Sequence, residues 1–235
     1  AVVNWASVSG MLTADGDSVS MPADSFSRIL NLSRIIAKPR GHAVVFGPAG
    51  TGKKTMVHMV SVLQHYRYVL IDCRGHRPWA ETHNALKILY TQAGIEGRLV
   101  MVHIAHADNA STEVLKTIVQ LLTKPNVTAF DNEERAEFLR LAMKMGNSFD
   151  QDLLNMSPEQ VMQRLAERVY RRTRLVISIC SPTIHSPLNL PWEHDSGITS
   201  LLTYIWHSDW NTDDYETMAN TLITDDGASI LPYLP

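Results

Sequence analysis

Residues 43–55 read Ala-Val-Val-Phe-Gly-Pro-Ala-Gly-Thr-Gly-Lys-Lys-Thr. Four apolar residues with strand character run into a glycine-rich turn, and Met56, Val57, Met59, Val60 and Leu63 then follow at helical spacing. A Gly-x-x-x-x-Gly-Lys stretch between a strand and a helix is the pattern of a phosphate-binding loop. Its glycines let backbone N–H groups curl around an anion, the helix N-terminus adds its dipole, and the lysine reaches the outer phosphates. The candidate nucleotide-contacting residues are therefore Gly47, Pro48, Ala49, Gly50, Thr51, Gly52, Lys53, Lys54 and Thr55. One position departs from the pattern. The Ser/Thr that ligates magnesium is replaced by Lys54, and Thr55 stands one place late. A helix turns about 100° per residue, so Thr55 is a weak candidate metal ligand. A second lysine beside the phosphates favours binding over catalysis.

Outward from the loop, strands and helices alternate. Upstream, Phe26, Ile29, Leu30, Leu32, Ile35 and Ile36 stripe a helix that Lys38-Pro39-Arg40-Gly41 stops. Downstream, strands are expected at Tyr68–Asp72, Leu99–Ala105, Arg174–Cys180 and Leu201–Trp206. A helix is expected from Trp79 to Ala93, ended by Gly94, and another through Val114–Leu122. Asp131 with Glu134, and Ser157-Pro158-Glu159-Gln160, have capping-box spacing and mark two more helix starts. Apolar strands alternating with helices imply an α/β fold with a parallel sheet covered on both faces.

Composition bounds the rest. The 235 residues are 45% apolar and 19% charged, which is ordinary globular usage and excludes disordered and fibrous classes. The net charge of −3 argues against a nucleic-acid partner. It also hides a split, because no Lys or Arg follows Arg174 while acids continue from Glu193 to Asp226. The two cysteines, Cys73 and Cys180, lie far apart and suggest a reducing compartment. No stretch approaches the roughly 20 apolar residues of a membrane span, and the N-terminal residues lack a signal-peptide pattern. Residues 1–25 are read as a linker or edge segment, 26–223 as the α/β unit and 224–235 as a tail.

The order of several stretches carries a family resemblance: SRIIAKPRGHAVVFGPAGTGKKT, Trp79 with AGIEGRLV, VLKTIVQLLTKPNVTAFDNEE, RLVISICSP and SDWNTDDYETMA. Together, over roughly residues 21–223, they resemble the large subdomain of the fourth AAA+ module of a dynein heavy chain, closest to the axonemal type. The resemblance implies a five-stranded P-loop NTPase sheet with the second strand at one edge and the fifth at the other. It implies ATP or ADP as cofactor, with Mg2+ uncertain, and puts Arg34 and Ile35 beside the adenine. It implies neighbouring AAA+ modules of the same heavy chain and other dynein subunits as partners, and a cytoplasmic, cytoskeletal or axonemal location. Microtubules would be met only through a stalk that this sequence does not contain. No expected partner is a membrane or a nucleic acid.

Departures from the family shape the functional expectation. The third strand of an active module ends in an Asp-Glu pair that holds magnesium and polarises the attacking water. Here His106 takes the aspartate's place, no glutamate follows, and Asp108 is only a weak catalytic candidate. The segment TIHSPLNLPWEHD, where the family has an arginine-rich stretch, contains no arginine. Ser181 matches the sensor position, and Arg171, Arg172 and Arg174 read mainly as solvated helix-end charges. His103 and His106, three apart along a strand, should face opposite sides and so fail to share an ion. Trp192, Trp206 and Trp210 read as packing for the fifth strand, and Cys73 as an inert thiol. The sum is a hydrolysis-deficient, nucleotide-holding module; a working ATPase and an empty scaffold are its rivals.

Overall fold

A computed structural model of the chain describes residues 23–74, 78–123, 130–146, 155–180, 196–216 and 219. Ser181, Trp192, the arginine-free segment and both the proposed linker and tail fall outside these residues, save for Ala23–Ser25. Helix α1 (Ala23–Ile36) leads to β1 (His42–Gly47), the loop, and α2 (Lys53–Leu63). Then come β2 (Arg67–Asp72), α3 (Pro78–Leu89), β3 (Val100–Ala105) and α4 (Thr112–Thr123). Helices α5 (Asn132–Met145) and α6 (Pro158–Arg172) precede β4 (Thr173–Cys180), the short α7 (Ser196–Thr199) and β5 (Leu202–Trp206).

The strands form one parallel sheet in the order β2-β3-β4-β1-β5, with β2 and β5 at the edges as the resemblance implies. All six positions of β1 and of β3 are buried, which is why these strands read as continuous apolar runs instead of alternating ones. Side chains alternate between two cores. On one face Ile29, Leu32, Met56, Met59 and Val60 of α1 and α2 cover Ala43, Val45, Met101 and Val176. On the other, Val44, Val102, Ile104, Leu175 and Ile177 meet α3, α5 and α6 through Leu86, Phe138, Leu165 and Val169.

Both expected capping boxes form. Asp131 accepts from the Glu134 backbone N–H at 2.8 Å, Ser157 accepts from that of Gln160 at 3.3 Å, and each glutamate or glutamine returns the bond. The helix after β2 differs from expectation. It does not end at Gly94 but widens into a π-helical turn over Tyr90–Ile95. A Cβ on Gly94 would lie 3.1 Å from Leu165 Cδ2 and 3.3 Å from Val169 Cγ2. The glycine there serves the close approach of α6.

Arg174 also differs from the solvated role read for it. Its guanidinium is buried and donates to the carbonyls of Ile36, Arg171 and Thr173, tying the C-terminal ends of α1 and α6 to the start of β4. Arg172 likewise donates to the Gly97 carbonyl, whereas Arg171 is exposed.

Candidate nucleotide-binding cleft

The site lies where the C-terminal ends of β1, β3 and β4 meet the start of α2, the usual location for ligands of open parallel sheets. Gly47 closes β1 with φ 152°, and a Cβ there would sit 2.5 Å from the His207 carbonyl oxygen. Only glycine permits that approach of the β1 end to the chain leaving β5. Gly52, left-handed at φ 74°, caps α2 without any side-chain cap, so the first N–H groups of the helix have no competing side-chain acceptor.

Lys53 is folded back across the loop. Its ammonium is buried and donates to the carbonyls of Gly47 at 2.8 Å and Pro48, with Thr51 Oγ1 at 3.4 Å. Burial pushes its pKa down, and the nearby Cys180 and Asp108 oppose that shift. A buried cation held by neutral oxygens is a strong attractor for an anion in the same space.

A cleft of about 320 Å3 opens beside it, lined by Ala49, Gly50, Gly52, Lys53, Lys54 and Thr55 of the loop and helix. Across from them stand Arg74, His103, Ala105, His106, Ser178 and Cys180. Gly47, Pro48 and Thr51 form the back of the loop, where the Thr51 hydroxyl donates to the Pro48 carbonyl at 3.0 Å. Arg34 and Ile35 are not brought to the cleft. Arg34 is exposed on α1, and Ile35 packs against the core between α1, α2 and the sheet. Trp210 comes nearer than the sequence suggested. Its Cζ2 lies 3.9 Å from where a Cβ on Gly52 would be, and its ring is 5.6 Å from that of Tyr215.

The floor of the cleft is His103. It is fully buried, with Nδ1 2.7 Å from the Tyr68 hydroxyl and Nε2 2.7 Å from Ser178 Oγ, linking β2, β3 and β4. Burial, helped by the positive charge of Lys54, lowers its pKa to about 3, so the ring is neutral. Both its nitrogens are engaged, and it is a structural histidine.

His106 corrects the expectation of opposite faces. Strand β3 ends at Ala105, and His106 adopts a left-handed conformation, φ 56° and ψ 47°, which returns it to the cleft side. Its Nδ1 lies 3.3 Å from Cys180 Sγ. Asp108, in the following 3-10 turn, accepts the Cys180 backbone N–H on Oδ1 at 3.0 Å and the Asn109 amide on Oδ2 at 3.1 Å. Asp72 is paired with Arg74 at 3.0 Å, which leaves no unpaired acid at the end of β2. Cys73 is buried with its thiol pKa pushed up to about 11, as an inert thiol should be.

Comparison with known proteins agrees with this architecture. The chain is 24% identical over 190 residues to dynein axonemal heavy chain 2 of Mus musculus, covering 80% of this chain and 4% of that protein. It is 22% identical over 206 residues to the dynein-1-beta heavy chain of the flagellar inner arm I1 complex of Chlamydomonas reinhardtii, covering 86% and 4%. A cytoplasmic dynein heavy chain of Paramecium tetraurelia is 22% identical over 195 residues, 81% and 4%. The chain thus spans about one twenty-fifth of the length of these relatives. A family model described as the P-loop containing dynein motor region D4 matches residues 19–231, and with the loop, sheet order and cleft in place the chain belongs to that family.

Proposed function

We propose that this chain is a nucleotide-holding segment of a dynein motor ring that binds ATP or ADP with little or no hydrolysis. The observation that carries the reading is the composition of the cleft. Among the described residues, its lining includes two lysines and an arginine but no carboxylate. Phosphates would lie on the loop backbone and Lys53, with Lys54 and Arg74 adding positive charge. Water would find no general base among those residues, because His106 stands where the family has an acid and Asp108 is bonded to the end of β4.

Magnesium fits these residues poorly. A small hard cation wants carboxylate and hydroxyl oxygens in an octahedral set, and the lining offers Thr55 and Ser178 hydroxyls beside imidazole and thiol. Ser178 is already engaged with His103. The nucleotide, when bound, would supply negative charge that stiffens the loop against the sheet; no step of hydrolysis is assigned to it.

In a whole heavy chain such a module would meet neighbouring AAA+ modules and other dynein subunits, and would reach microtubules only through a stalk outside this sequence. An association with cytoskeleton or axoneme follows the names of the relatives. Among the described residues no helix is long and apolar enough to cross a membrane.

Titration with a fluorescent ADP or ATP analogue tests the reading. Saturable binding that Lys53→Ala weakens by about 100-fold is expected, since it removes a buried charge from the phosphate loop. Absence of saturable binding would establish the empty scaffold. Magnesium-dependent phosphate release abolished by Lys53→Ala would establish a working ATPase using Thr55 and Asp108.

A further inference from the structure

The imidazole and thiol that spoil the cleft for magnesium are grouped with a neighbouring carboxylate in a way that suits a different ion. A ring nitrogen of His106, a carboxylate oxygen of Asp108 and Cys180 Sγ all lie within 4.8 Å of one another. The turn after β3 supplies the first two and the end of β4 the third, so adjacent strands of one sheet fix their spacing. We propose that His106, Asp108 and Cys180 form a three-ligand site for a borderline-soft divalent cation of the zinc type, whose fourth position opens on the phosphate-loop cleft.

Geometry supports this first. Zinc bonds of about 2.3 Å to sulfur and about 2.1 Å to nitrogen, at a tetrahedral angle, place the two ligand atoms roughly 3.6 Å apart. The His106–Cys180 separation of 3.3 Å is already close to that edge. The Asp108 carboxylate, carried by the short 3-10 turn Ala107–Asn109, has an oxygen within 4.8 Å of both.

Outer partners are also in place. The Cys180 N–H and the Asn109 amide each donate to Asp108, the kind of support that orients a ligating carboxylate. Three protein ligands with an open fourth position, here for water or a phosphate oxygen, are the arrangement of zinc sites that are not closed structural ones.

Charge and ligand chemistry point the same way. A divalent cation with one thiolate and one carboxylate is neutral overall, so the two charges of the ion are offset by its ligands: net of the released thiol proton, the site gains a single positive charge beside Lys53, Lys54 and Arg74. Nitrogen and thiolate ligands select zinc-type ions over magnesium and calcium. Coordination breaks the S–H bond of Cys180 and releases that proton to solvent, with no change of oxidation state. The substitution of His106 at the strand end therefore changes which metal the position prefers, instead of only removing one.

Zinc alone tests the site, so the outcome is separate from nucleotide binding. The reduced, metal-free 235-residue chain is titrated with Zn2+ against a chromophoric chelator, and with Co2+ for the thiolate-to-cobalt charge-transfer band. One equivalent of either ion and a tetrahedral cobalt spectrum are expected. Cys180→Ser should abolish the band and, like His106→Gln, weaken zinc binding by about 100-fold or more, while Cys73→Ser changes neither. A parallel measurement on the unmutated chain guards against misfolded variants: zinc should protect Cys180 from alkylation, mapped by mass spectrometry. The proposal fails if no stoichiometric ion binds, if binding survives both ligand substitutions in folded protein, or if Cys180 alkylates equally with and without zinc.

Discussion

His103 holds three strands together through two hydrogen bonds, and its burial keeps the ring neutral. Its folded pKa, about 3, lies below the ordinary 6.5, and that of buried His42, which accepts the Leu175 N–H, falls to about 4. Below pH 6.5 the unfolded chain takes up protons that the folded chain refuses. The stabilisation from both groups is therefore complete above pH 6.5 and is lost progressively as pH falls toward 4. Denaturant midpoints measured across pH 4–8 should show that decline. His103→Ala should cost about 3 kcal/mol at neutral pH, by orphaning the Tyr68 and Ser178 hydroxyls and leaving a cavity, and should flatten the acid slope. Sequence alone placed the glycine-rich loop between its strand and its helix. It could not show the His106–Asp108–Cys180 grouping, because a left-handed residue at a strand end reverses the direction that strand alternation assigns. Asn and Asp tolerate that conformation more readily than most residues, and the histidine gave no warning of it.

Elements with chemical punctuation were legible in advance, and those shaped by packing were not. The start of α6 is set by Ser157, Pro158 and Gln160, all local in sequence, and it forms as expected. Ser157→Ala should lower unfolding free energy by about 1 kcal/mol, read from chemical denaturation, with little effect on nucleotide binding. The π-helical turn after α3 has no such local cause. It exists where Gly94 meets Leu165 and Val169, residues about seventy positions later. A glycine in a helical pattern reads as a stop, yet here it is the contact surface for another helix. Gly94→Val should overpack that junction and destabilise by about 1–3 kcal/mol, measurable in the same denaturation series.

At the scale of the molecule, two apolar layers clamp the sheet, and the cleft sits at the C-terminal ends of its inner strands. The strand order followed from family resemblance, whereas the alternation of apolar runs gave only the parallel α/β class. The acidic, arginine-free stretch after Arg174 remains a property of the sequence, since most of it lies beyond the described residues. What the fold adds is that Arg174, the last cation, is buried at the opposite end of the sheet from the cleft, where it binds carbonyls of three segments. A ligand that binds only the folded chain raises its stability with the logarithm of one plus its free concentration divided by its dissociation constant. ADP or ATP at about 100 times its dissociation constant should therefore add about 2.7 kcal/mol, raising the thermal midpoint of a chain this size by roughly 5–11 °C. Lys53→Ala should remove that shift, and differential scanning fluorimetry reads both.

The contacts of Lys53 carry a kinetic consequence. Its ammonium already has acceptors in the Gly47 and Pro48 carbonyls, so an incoming phosphate meets a lysine that is engaged, not one that is waiting. Association is then an exchange of partners, in which the Pro48 bond must lengthen before the new one shortens. Such a step is unimolecular and leaves its mark in stopped-flow traces as an observed rate that levels off with rising nucleotide concentration. The loop sets the plateau, and the concentration of nucleotide sets only the approach to it.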